Sequence, residues 1–133
     1  MGSTVACGEY AGFEIQIDDD DARMSVTLVH KAVSYPQCYP QTISPHFSTL
    51  GEKIEWRYPK GEPLHPVAMI VRVHASMQGD TPHDSKSTSY LAVSKIVTDE
   101  ICVVGKIPAV KNQNILARKM ADRRRRIALS FQR

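Results

Sequence analysis

The sequence is poor in the features by which most chemistries announce themselves. Across 133 residues it has three cysteines, Cys7, Cys38 and Cys102, and no two stand in a C-x-x-C spacing, which argues against structural zinc. Its histidines, His30, His46, His65, His74 and His83, are scattered, with no His-x-x-x-His or His-Glu pairing. Spacing therefore points to no metal site and no general base. No apolar run approaches the roughly eighteen residues that a membrane-spanning helix requires. No motif points to an enzyme, and neither a cofactor nor a metal is expected.

What is present is ordinary for a folded domain. Hydrophobic residues make up 42% and charged ones 23%, so wholesale disorder is excluded. A chain of this length forms one domain, residues 1–133, and buries roughly two-thirds of the surface its unfolded form exposes. Charge is unevenly placed: up to Val110 there are 9 Lys/Arg against 13 Asp/Glu, whereas Lys111 to Arg133 holds 8 against 1. The body is mildly acidic and the tail basic. Met1, Gly2 and Ser3 read as an expression scar in place of a trimmed segment, of the kind that often carries a secretion signal. Ala6 stands where a myristoylation motif wants Ser or Thr.

Patterning gives mostly strands. Phe13, Ile15 and Ile17 alternate with polar residues, and so do Met24, Val26 and Leu28, which predicts a hairpin turned at Asp18 to Asp21. Lys31 to Leu50 holds Pro36, Pro40 and Pro45 and predicts a long loop, because proline fixes φ and lacks the N–H that a ladder uses. Ile54, Trp56 and Tyr58 mark a further strand, and the apolar run Val67 to Ala75 a central one. Met77 to Ser87 predicts a second loop. From Thr88 to Asp122 the signals agree best. Leu91 and Val93, then Ile101 and Val103, form a last hairpin, turned at Thr98 to Glu100. A helix follows, capped by Asn112 or Asn114. Leu116, Ala117, Met120, Ile127, Ala128 and Phe131 fall on one helical stripe. The expected fold is α+β: an antiparallel sheet of about five or six strands, with a long C-terminal helix packed on one face.

The candidate sites follow from what stands out. Tyr35, Tyr39 and Phe47 are interleaved with the prolines of the long loop and have no obvious core role, which suggests a ligand- or partner-binding surface. His74, on a strand near the sheet centre, joins them. Arg118 and the run Arg123, Arg124, Arg125 and Arg126 form the strongest electrostatic feature and suit phosphate backbones or anionic surfaces. A solvated helix end is the favoured reading of these arginines, since cations near a helix C-terminus interact well with the macrodipole and no aromatics are interleaved for stacking. Nucleic acid is thus the alternative and not the leading partner. Asp18 to Asp21 lacks the spacing of a calcium loop and reads as a solvated turn. Cys102, between Ile101 and Val103, reads as an inert or disulfide-bonded sulfur in a strand.

One resemblance bears on compartment. Cys7, Gly8, Tyr10 and Gly12, then Leu50, Gly51, Ile54, Glu55, Trp56 and Arg57, then Leu91, Val93, Lys95 and Ile96 form its first half. Cys102, Val103, Gly105 and Ala109, with Asn114, Leu116, Ala117, Arg118, Ala121 and Asp122, complete a pattern that resembles a family of small secreted bacterial proteins of unknown function. The resemblance implies export to the periplasm or the medium, where cysteines tend to pair. Family members carry one cysteine ahead of the first motif and another after the final helix, and this chain has neither. Cys38 pairing with Cys7 or Cys102, or staying unpaired, are the readings left open. The functional expectation is a soluble, non-enzymatic binding module for a protein or small-molecule partner.

Overall fold

In the computed structural model, which describes residues 2–77, 86–98 and 100–123, two four-stranded antiparallel sheets face each other. Strands β1 (Gly2–Tyr10), β2 (Phe13–Asp20), β3 (Met24–His30) and β4 (Val33–Pro36) pair in chain order as one meander. Strands β5 (Ser48–Arg57), β6 (Ala68–Met77), β7 (Lys86–Val97) and β8 (Glu100–Ile107) form the other. Two short helices, α1 (Tyr39–Thr42) and α2 (Gln113–Asp122), complete the described chain.

This overturns the α+β expectation of one sheet beneath a long helix. The principal core lies between the sheets, where Phe13, Ile15, Val26 and Leu28 of the first meet Met69, Val71, Val73 and Ala92 of the second. Burying each such side chain contributes roughly 1.5–3 kcal/mol. Alternation shows that a strand has one apolar face but not which strands pair, so two four-stranded meanders and one larger sheet look alike in sequence.

The turns of the first sheet explain further departures. Ala11–Gly12, Asp21–Ala22 and Lys31–Ala32 each join two strands, and all six residues have positive φ. Two consecutive left-handed residues match the right-handed twist of a hairpin. The Asp18–Asp21 turn is thereby corrected: Asp18 to Asp20 belong to β2, and Asp18 accepts hydroxyl hydrogen bonds from Thr4 (2.9 Å) and Thr27 (2.6 Å). The long loop is corrected too. Lys31 to Leu50 contains a tight turn, β4, α1 and the start of β5. Pro36 ends an edge strand, and Pro40 sits in the first turn of α1, where its missing N–H has no intrahelical role.

The second sheet is covered on its outer face as well. Ala117 and Ala121 of α2 pack on Ala68, Ile70, Leu91, Val93 and Ile107. Gly105 lets Met120 approach: a Cβ there would lie 2.6 Å from Met120 Sδ. Asn112 occupies the cap position but makes no side-chain cap. Instead Gln113 Nε2 donates to the Ser89 and Ile107 carbonyls, and Arg72 donates to Gln113 Oε1 at 2.8 Å. Leu116 is exposed, off the packed face; Ile127, Ala128 and Phe131 lie outside the described residues.

The expected disulfide is absent: Cys7, Cys38 and Cys102 are all free thiols. They stand on separate elements, Cys7 at the bulge of β1, Cys38 ahead of α1 and Cys102 on β8.

Candidate ligand-binding cleft

The four residues expected to form a binding surface are not brought together. Tyr39 is 1% exposed and sits in the inter-sheet core, its backbone N–H donating to Ser25 Oγ at 2.9 Å. Its hydroxyl has no hydrogen-bond partner among the described residues, and burial pushes its pKa well above the usual phenol value. Tyr35, on β4, is half-buried against the same core. Phe47 is exposed, with the Arg23 guanidinium 4.7 Å over its ring. His74 is exposed on β6 between Thr49 and Ser89.

The basic cluster divides as well. Arg118 donates to both oxygens of Glu55, at 2.7 and 3.0 Å, so its charge is committed to holding α2 against β5. Hydrogen bonds from Arg118, then the charges of Arg118 and Arg57, hold the Glu55 carboxyl below the usual range against the opposing effect of burial. Arg57 in turn chelates Asp122, at 3.1 and 2.9 Å. Arg123 is exposed at the end of α2, and Arg124, Arg125 and Arg126 lie outside the described residues.

A different place gathers recognition chemistry. At one end of the sandwich lies an open cleft of about 1110 Å³. Its floor is Phe13, whose ring stacks on His30 at 4.0 Å and 14° and meets Trp56 at 6.0 Å. Trp56 stacks in turn on Tyr10 at 5.0 Å, so the floor continues into an aromatic cluster that ties β1 and β2 to β5. The Gly12 carbonyl lies 3.2 Å from His30 Nδ1, a contact that requires the proton on Nδ1.

The lip is built by the segment between β5 and β6. Glu62 N–H donates to the Pro59 carbonyl and His65 N–H to that of Glu62, two successive turns that end at Pro66. The Tyr10 hydroxyl anchors the segment by donating to the Pro63 carbonyl at 2.6 Å. Leu64 and His65 consequently line the cleft, and Leu64 is 69% exposed. Leu64 thereby adds apolar surface to the cleft that Phe13 and His30 also line.

The opposite rim comes from β7 and α2. Ile96, Val97 and Thr98 line one side, and Asp122 and Arg123 the other. Buried Lys95, 1% exposed, helps fix the end of α2 by donating from Nζ to the Ala121 carbonyl, one of the last-turn carbonyls that have no intrahelical donor. Lys95 and the Arg57–Asp122 chelate thus place Arg123.

No protein-family model, curated protein or solved structure matches this chain. The resemblance to small secreted proteins consequently carries no argument beyond its motifs.

Phe13, His30, Lys31, Leu64 and His65 were not singled out as site residues by sequence. One signal was present: Leu64 sits between Pro63 and Pro66 in a stretch with no strand or helix period, so no regular element was available to bury it. Among the described residues no group of three His, Cys, Asp or Glu gathers as a metal site would. Burial, then the Glu100 charge, pushes the Cys102 thiol pKa up, opposite to what a thiolate nucleophile needs.

Proposed function

We propose that this chain is a non-enzymatic binding module that holds a small molecule in the cleft between the 64–67 segment and the first-sheet turns. Leu64 carries the reading: a large apolar side chain is fixed in solvent at the lip of a cavity with an aromatic floor. Concave sites with apolar walls and a few placed polar groups are the usual form of small-molecule sites. The surface expected around Tyr39 is replaced by this cleft, since Tyr39 is a core residue. Export to the periplasm or the medium, taken from the resemblance alone, remains part of the proposal. Cell fractionation of the natural host's protein tests it, and a purely cytoplasmic signal would remove it.

Binding is tested with N-phenyl-1-naphthylamine, an uncharged probe whose emission rises in apolar sites. Thr98→Trp places a large ring at the exposed mouth and is expected to abolish the probe's binding without changing the melting temperature. Leu64→Ser is expected to weaken it several-fold. Unchanged binding in both variants would remove the cleft as the ligand site.

The basic-helix reading is retained as a competitor with its own readout. It requires affinity for duplex or single-stranded DNA or for anionic vesicles that falls steeply with salt. Arg118, being paired with Glu55, contributes little to such binding.

A further inference from the structure

We propose that the ligand of this cleft is an organic anion, its apolar body lying on Phe13, His30 and Leu64 and its head group between Lys31 and Arg123. The proposal rests on the cleft reading and specifies the chemical class that the cleft selects.

The charge balance at the rim carries it. Among the described residues, Lys31, Asp122 and Arg123 are the side chains of fixed charge that line the cleft, joined by the titratable His30 and His65. Both oxygens of Asp122 accept from Arg57, which compensates the carboxylate. Neither Lys31 nor Arg123 has an ion-pair partner among the described residues. The cleft thus presents two cations, beside an apolar surface, with no anion of the described protein to answer them. Water solvates such cations well, so an isolated one means little. Two of them facing one apolar cavity suit a ligand that combines a hydrophobic body with a carboxylate, sulfonate or phosphate head.

Lys31 reaches the rim from the turn between β3 and β4, where it has φ 52 and Ala32 φ 66, a left-handed pair. Arg123 is positioned separately, by Lys95 and Arg57 acting on the end of α2. The two charges therefore reach the cleft from opposite sheets by unrelated structural routes.

The test compares two probes of similar body. 8-Anilinonaphthalene-1-sulfonate is anionic and N-phenyl-1-naphthylamine is neutral, and each is titrated into the full chain. The sulfonate is expected to bind about tenfold more tightly than the amine, and added salt to narrow that gap. Lys31→Asn, which suits the left-handed backbone, and Arg123→Gln are each expected to weaken sulfonate binding up to about fivefold, the upper end for solvent-facing ion pairs. The double variant is expected to bring the sulfonate to the amine's affinity and leave the amine unchanged. Both side chains are exposed, so the melting temperature is expected to hold. Equal affinities for the two probes, or a double variant that keeps the sulfonate's advantage, would overturn the proposal while leaving the cleft intact. Binding of both probes undiminished by Thr98→Trp would overturn the cleft and the proposal together.

Discussion

The two sheets solve the same problem differently. In the second, β7 is buried without interruption from Leu91 to Lys95, because the first sheet covers one face and α2 the other. In the first, β1 is exposed from Ser3 to Glu9, and the inward residues of β2 and β3, with Tyr35 of β4, reach the core. A sheet covered on both faces resists local opening, whereas a sheet covered on one face leaves its turns and outer strand to solvent. The cleft lies where the two regimes meet: its floor and Lys31 come from the one-faced sheet, and Ile96, Val97 and Arg123 from the covered one and its helix.

That contrast is broken most strongly at the shared core. Leu28→Ala removes a side chain wholly buried between the sheets and is expected to cost toward the upper end of about 2–5 kcal/mol. Leu91→Ala, chemically the same change beneath α2, is expected near the lower end, because a short surface helix can settle into the space. Denaturant unfolding measures both, and equal losses would erase the distinction drawn between the two cores.

A smaller effect isolates the helix. Lys95→Met retains an apolar stem but leaves the Ala121 carbonyl without that donor, at a cost of about 1–3 kcal/mol. Amide exchange is expected to speed up in α2 while protection in β3 and β6 holds. Uniform loss of protection would show that α2 and the sandwich unfold as one unit.

Tyr39→Phe is expected to raise stability by about 1 kcal/mol, since it removes a buried hydroxyl that has no partner among the described residues. A loss on substitution would mean that the hydroxyl is satisfied in solution.

Glu55→Gln gives the smallest change, below about 1 kcal/mol at pH 7, because the ion pairs it breaks face solvent. Its folded pKa is depressed, so the contribution is fully present above the unfolded carboxylate value and is lost as pH falls through the folded one. Wild type and variant are therefore expected to differ at pH 7 and to converge in acid. A difference that persists in strong acid would contradict the ion-pair account.

How much of this was legible in the sequence varies by element. The alternation of Phe13, Ile15 and Ile17 and the apolar run Val67 to Val71 report burial on one face and on two, and both match the strands found. Strand partnership was not legible, because period-2 patterning is silent about neighbours. The turns were hidden for a different reason: Asp21–Ala22 and Lys31–Ala32 take left-handed backbone without the asparagine or glycine that marks it. Tyr39 misled because aromatics among prolines resemble a surface loop, and only the turn that starts α1 sends this one into the core. For the site, Leu64 left a trace between two prolines, while the meeting of Phe13, Lys31 and Arg123 depends on contacts between residues far apart in sequence.

The proposed recognition site is the cleft and not the tyrosine- and proline-rich segment or the outer sheet face. Backbone amide shifts of the isotopically labelled chain, followed during titration with 8-anilinonaphthalene-1-sulfonate, test it most directly. The largest shifts are expected at Phe13, His30, Lys31, Leu64 and Arg123, with Phe47 and His74 unmoved. Shifts centred on Phe47 or His74, with the cleft residues still, would contradict it.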